Sequence, residues 1–184
     1  MADDRDELLA LLTLRSFVHR PERPFQLASG KTSPYYLDGK KTTLDARGAL
    51  LVGRLIFDRL RGRNIQAVGG LTLGADPIAV AVALTSALAG EPMRAFIVRK
   101  EIKDHGTGNW IEGGIDPGSR VAVIEDVVTS GTSICLAIER IQSAGHHIVA
   151  AAALVDRGEG GAEAVRQVAG VPLDALFNLK DFIK

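Results

Sequence analysis

The chain has a single cysteine, Cys135, so no internal disulfide framework is available to it; that usage fits a reducing compartment. No apolar run approaches the roughly 20 residues that a membrane-spanning helix needs. The opening residues, MADDRDELLALL, carry acids where a secretory leader carries basic residues. A cytoplasmic location without membrane attachment is therefore expected. Charge of one sign is lacking too, because 22 Lys and Arg are balanced by 22 Asp and Glu. Nucleic acid is consequently not an expected partner, and any anion chemistry must come from local clusters. What the chain does have is core material. Its 184 residues are 46% apolar, enough for one domain, 1–184, with residues 1–44 as an N-terminal element.

Periodicity supplies the organisation. Asp3 to Val18 carries Leu8, Leu11, Leu12 and Leu14 behind an acidic first turn, which predicts an amphipathic helix. The stretch PFQLASGKTSPYYLDG is broken by Gly and Pro and reads as extended. Asp45 is placed to cap a helix running to about Arg61, with Leu51 and Leu55 on one face. Beyond it, apolar strands at 65–70, 94–98, 120–124, 147–155 and 172–179 alternate with helical patterns at 76–88, 132–144 and 162–168. Buried runs alternating with helices predict an α/β fold with a central, mostly parallel sheet flanked by helices.

One segment does not suit a compact core. RKEIKDHGTGNWIEGGIDPGS, about twenty residues between strands, holds five glycines and little periodicity. Loops of that length are usually lids or binding loops. It opens with Arg99, Lys100, Lys103 and His105, a cationic cluster suited to a phosphorylated ligand.

The stretch VAVIEDVVTSGTS, 121–133, ends an apolar strand in two adjacent acids and a hydroxyl-rich turn. In open parallel sheets ligands bind beyond the carboxyl ends of the strands, where helix N-termini favour anions. Gly131 and the Thr129, Ser130, Thr132 and Ser133 hydroxyls can cradle a phosphate there. Glu125 and Asp126 would repel that phosphate, so they are expected to face a hydroxyl-bearing part of the same ligand. A ribose 5-phosphate satisfies both ends. Other nucleotide motifs are missing: SGKTS at 29–33 lacks the P-loop glycine, having Phe25 in its place, and no GxGxxG follows the first strand.

These residues resemble a known family. The acid pair with TSGTS is similar to the phosphoribosyl-pyrophosphate signature of the type I phosphoribosyltransferases. RKEIKDHGTGN resembles the catalytic loop of the orotate phosphoribosyltransferases among them. FQLASGKTSPYYLDGKK resembles their N-terminal hood, VGGLTLGADPIA their pyrophosphate loop, and LVDRGEGG the strand end that carries an orotate-contacting arginine. The resemblance implies the type I phosphoribosyltransferase fold with a small hood, and transfer of ribose 5-phosphate from phosphoribosyl pyrophosphate to orotate. It implies Lys103 and Asp126 as catalytic residues. Arg99, Lys100, Lys103 and His105 would serve the pyrophosphate, and Glu125 to Ser133, Val127 and Val128 included, the ribose phosphate. For orotate it implies Arg157, Thr129 and Tyr36. It also implies Mg2+ bridging substrate oxygens with few protein ligands, and a homodimer in which loop 99–118 crosses into the partner's site. Readings with another nucleobase, or with a regulator that only binds the donor, share the fold. Two positions depart from some members of the family, Ala28 in the hood and Leu73 in the pyrophosphate loop, each standing where a lysine is found. With Leu73 there, the backbone N–H groups of Thr72 to Ala75 are expected to bind the pyrophosphate. His19, His146 and His147 read as surface or helix-end residues, and Cys135 as core.

Overall fold

The structure is a computed structural model that describes residues 2–26, 32–101 and 109–183. Its elements begin with α1 (Ala2–Arg15), the short strands β1 (Phe17–His19), β2 (Phe25–Gln26), β3 (Thr32–Ser33) and β4 (Tyr35–Leu37), then α2 (Lys40–Thr43) and α3 (Ala46–Leu60). They continue with β5 (Ala67–Leu71), α4 (Asp76–Leu88), β6 (Arg94–Val98), β7 (Ile111–Glu112), β8 (Arg120–Val128) and α5 (Thr132–Ser143). Last come β9 (His147–Asp156), α6 (Gly161–Ala169), β10 (Leu173–Asn178) and a 3-10 turn at Leu179–Phe182.

Six strands form one sheet in the order β10-β9-β8-β5-β6-β7, parallel except for β7, which runs antiparallel to β6. Side chains alternate across a strand, and β8 uses both faces. Ala122 and Ile124 join Leu8, Leu12, Leu51 and Ile78 in a core beneath α1, α3 and α4. Val121 and Val123 join Ile134, Ile138 and Val165 in a second core beneath α5 and α6. The architecture is thus α/β, helices on both faces of a mostly parallel sheet, as the alternation of apolar runs and helical patterns led one to expect. Two small antiparallel pairs, β1 with β4 and β2 with β3, stand apart from the sheet as the hood.

Local chemistry explains most boundaries. Asp45 caps α3, its Oδ1 accepting from the Arg47 and Gly48 amides at 3.1 Å each. Differences from the periodicity reading have physical causes. Leu14 is 80% exposed while Leu8 and Leu12 are fully buried, because at 100° per residue position 14 falls about 140° from the middle of the stripe that 8 and 12 share. β8 does not stop at Ile124 but carries Glu125 and Asp126 as strand residues to Val128. Pairing of Glu125 with Ala153 and Val127 with Val155 holds the backbone extended there. β7 has two residues and no sequence pattern; it exists because Ile97 and Val98 offer an open edge to Glu112 and Ile111. His146 is buried rather than on the surface, and Cys135 is only partly buried, packed against the second core.

The split between Leu12 and Leu14 is testable. Leu12→Ala is expected to lower unfolding free energy by about 2–5 kcal/mol, and Leu14→Ala to change it by no more than about 0.5 kcal/mol, both read from urea denaturation midpoints.

Candidate active site

At the carboxyl end of the sheet a cleft of about 490 Å³ opens between the hood and the loop after β8. Its walls include Tyr36, Lys40, Glu125, Asp126, the turn Thr129–Ser133 and Arg157. With Gln26, also in the wall, residues from four separate stretches of sequence therefore meet in one place.

The turn after β8 is shaped by Gly131, which caps α5 in the left-handed region at φ 86°. A Cβ there would also sit 3.1 Å from Gly161 Cα, at the start of α6. Small residues thus let two helix starts and the turn close on one another, and the first-turn amides of α5 are directed at the cleft. Ser130 and Thr132 hydroxyls lie 3.0 Å apart at the same turn. An anion is the natural guest of such a turn.

The acid pair lies beside it and is far less solvated than two surface carboxylates: Glu125 is 5% and Asp126 9% exposed. Asp126 Oδ1 accepts from the Val127 amide at 2.8 Å, and Glu125 Oε1 from the Asp126 amide at 3.2 Å. Glu125 Oε2 is buried with no partner. Burial first, and then the negative charge of Asp126, push the Glu125 carboxyl well above its usual range, with Lys100 pulling weakly the other way. Two glycines permit this packing. A Cβ on Gly74 would stand 2.5 Å from Asp126 Oδ1, and one on Gly39 would stand 2.9 Å from Asp126 Cβ. The loop after β5 and the loop after β4 therefore close on the acids from either side.

A cation that periodicity did not single out completes this wall. Lys40 Nζ pairs with Asp38 Oδ1 at 2.7 Å and stands 4.0 Å from Asp126 Oδ2. The hydrogen bond to Asp38 chiefly, and Asp126 besides, raise its pKa, so it stays charged. Only its place beside an Asp-Gly turn could have hinted at it.

Arg157 is also no surface charge, being 8% exposed. Its Nη2 donates to Ser33 Oγ at 3.0 Å and pairs with Glu159 Oε1 at 3.0 Å, while Nε is buried and unpartnered. The hood residue Ser33 and the neighbour Glu159, neither anticipated, thus hold the guanidinium at the cleft. A two-point grip on a carboxylate through Nε and Nη2 would require the guest to displace Glu159 or Ser33. Tyr36 borders the cleft with one face stacked on Phe25, ring centres 5.2 Å apart.

Other expected residues are placed elsewhere. Arg99 does not line the cleft and pairs with Glu112 at 2.8 Å. Lys100 does not line the cleft either, though its charge reaches Glu125. Lys103 and His105, like Ala28 and Lys31, lie outside the described residues. In the loop after β5, the Thr72 amide donates to Val98 O at 2.9 Å and the Ala75 amide to Leu71 O at 3.4 Å. Of the amides expected to serve a pyrophosphate, those of Leu73 and Gly74 are thus left. Leu73 itself is 68% exposed and lines a separate apolar groove with Leu44, Leu50, Val80 and Leu84. Among the described residues no group of three or more His, Cys, Asp or Glu could hold a metal ion unaided.

The family model described as phosphoribosyl transferase domain matches residues 42–174. A curated orotate phosphoribosyltransferase from Thermosynechococcus vestitus is 48% identical over 182 residues, covering 98% of this chain and 94% of that protein. The chain belongs to the orotate phosphoribosyltransferase family. The crystal structure of the Mycobacterium tuberculosis H37Rv member in complex with Fe(III) dicitrate superimposes with a TM-score of 0.84 at 39% identity, covering 98% of this chain and 99% of that one. The same enzyme in complex with 5-phospho-alpha-D-ribosyl 1-diphosphate gives a TM-score of 0.79 at 37% identity, with 97% and 98% covered. Family membership and the type I phosphoribosyltransferase fold agree with the cleft at the carboxyl end of the sheet.

The raised Glu125 pKa makes a thermodynamic prediction. A carboxyl whose pKa is raised on folding stabilises the fold while protonated, and that stability is lost as pH rises from 4.5 toward the folded value. Glu125→Gln should therefore raise Tm above wild type at pH 7, by about 2–4 °C for each kcal/mol relieved, with the gain shrinking toward pH 4. A gain independent of pH in ligand-free calorimetry would contradict this account.

Proposed function

We propose that this protein transfers the ribose 5-phosphate group of phosphoribosyl pyrophosphate to orotate, giving orotidine 5′-monophosphate and pyrophosphate, a step of pyrimidine nucleotide synthesis. The observation that carries the assignment is the convergence in one cleft of the phosphate-cradling turn, the buried acid pair and Arg157, in a chain of this family. Phosphate sits on the α5 turn, the ribose hydroxyls face Asp126 and Glu125, and the base lies toward Tyr36, Thr129 and Arg157. The orotate carboxylate supplies the anion for which the free Nε of Arg157 provides a donor.

Loss of pyrophosphate builds positive charge on the ribose and negative charge on the leaving group, so the residues needed are charges already in position rather than a covalent nucleophile. Asp126 lies on the ribose side. Lys100, Lys103 and His105 act on the pyrophosphate, as the resemblance implies, with Arg99 entering if it leaves Glu112, and Lys40 is a further cation within the cleft. Among the described residues only two acid side chains, Glu125 and Asp126, line the cleft, a donor set that suits Mg2+ held largely by substrate oxygens and water. When bound, it would neutralise the departing pyrophosphate. The whole chain acts as one domain, with residues 1–44 as helix and hood over the base. No helix among the described residues is long and apolar enough to cross a membrane, which agrees with action in the cytoplasm.

The homodimer implied by the resemblance has a face ready for it. Leu44, Leu73, Val80, Leu84 and Leu88 are each more than 60% exposed at the end of α2, in the loop after β5 and along α4, and they border a groove of about 760 Å³. Contiguous apolar surface of this kind is rare on monomers. Ridges of leucine beside hollows at Ala46, Ala49 and Ala81 suit a two-fold, self-matching contact. In such a dimer loop 99–118 of one subunit would serve the other's cleft, as the resemblance implies.

Orotate consumption, followed by its absorbance loss in the presence of donor and magnesium, tests the assignment; consumption of adenine or uracil instead would replace it. Lys103→Ala should lower kcat by about a hundredfold or more with little change in donor KM, and an unchanged kcat removes Lys103 from the reaction. Arg157→Ala should raise the orotate KM by about tenfold or more, a charged hydrogen bond being worth roughly 1.5–3 kcal/mol. Verified heterodimers of a Lys103→Ala subunit with an Asp126→Asn subunit should recover activity through one intact site; no recovery places the loop in its own subunit's cleft.

A further inference from the structure

Arg140 lies in the last turn of α5, outside the cleft. Its guanidinium carbon sits 3.9 Å from the ring centre of Trp110. Nη2 donates to Lys100 O at 3.0 Å, and Nη1 donates to Arg99 O. The same side chain therefore grips the backbone on which the loop leaves β6 and stacks on the aromatic that stands where the loop returns to β7. The two stems are also joined directly, the Arg99 amide donating to Trp110 O at 2.9 Å. An ordinary surface arginine does not bind two successive carbonyls and cover an indole. Arg can do all three because its planar guanidinium offers several donors in its plane and a stacking face perpendicular to it. Lysine has a charge for the indole but no fork for the two carbonyls.

The opposite end of α5 is the phosphate-cradling turn at Gly131–Ser133. A single rigid helix therefore carries both the phosphate site and the anchor of the loop stems. We propose that Arg140 is a positioning residue for the transferase reaction. It fixes the Arg99–Lys100 stem and the Trp110 stem relative to the phosphate site, so that the cationic sequence between them springs from a set point. This inference rests on the function proposed above, in that the loop it anchors serves the pyrophosphate. Misplacing a catalytic group by about 1 Å is enough to cost on the order of a hundredfold in rate.

Trp110 is the sole tryptophan of the chain, so its emission reports this anchor without interference. In Arg140→Ala, Trp110 emission should shift to the red and become more accessible to iodide in the ligand-free protein. kcat should fall about tenfold or more, while KM for phosphoribosyl pyrophosphate changes no more than about threefold. Arg140→Lys, which keeps charge and stem, should restore the stacked emission in part yet still turn over several-fold more slowly than wild type. Should the alanine variant melt early, the lysine variant decides the matter. Normal kcat in Arg140→Lys would overturn the proposal, as would a fall in kcat with Trp110 emission unchanged, or a matched loss of kcat and donor binding. Lys103→Ala run alongside separates the two ideas: full turnover there defeats the role given to the loop, whereas the emission result still shows whether Arg140 holds the stems.

Discussion

Two carboxylates side by side on a buried strand repel each other and lose hydration, and the site is organised around that unfavourable pair. Glu125 and Asp126 can stay there because β8 is paired on its β9 side through Val128, because Gly39 and Gly74 leave room for their oxygens, and because Lys40 adds a positive charge. These supports come from β9, from the loop after β5, and from the segment after β4 in which Gly39 and Lys40 are neighbours. The arrangement is costly without ligand, and under the function proposed above it would be relieved by hydroxyls and a cationic centre, so that strain in the free protein would favour a charge-separating reaction.

A division of labour follows from the sheet. The turn into α5 has small residues and open amides for an anion, while the end of β9 delivers Arg157, held by Ser33 from the hood and by Glu159. The hood is thus more than a cover. Through Ser33 it sets the orientation of the guanidinium proposed to read the base. The α3 and α4 faces carry the apolar groove, which meets the cleft at Lys40 and which Leu73 extends from the very loop that packs on the acids. Leucine at that position places an exposed apolar side chain in that groove.

Much of this was legible beforehand. The alternation of apolar runs and helical patterns led to the parallel sheet because strands buried on both faces must be apolar throughout. The Asp45 cap and the α4 and β6 boundaries follow from signals within a few residues. VAVIEDVVTSGTS told of a tight strand-to-helix turn with acids beside it, since local backbone conformation makes that turn. Arg99 was drawn toward the ligand by its place in a cationic cluster, and the structure instead pairs it with Glu112 across β6 and β7. No local pattern contains that partner.

By itself, then, the sequence determined the order of strands and helices and the tight turn into α5 with two acids before it, since these depend on neighbours along the chain. Only the tertiary structure decided the burial that raises Glu125, the entry of Lys40, the hold of Ser33 on Arg157 and the grip of Arg140 on the loop stems. Ser33 and Arg157 are 124 positions apart, and Arg140 and Arg99 are 41 apart. Contacts of that separation are set by how the helices and the hood pack on the sheet, and burial exists only once they have done so.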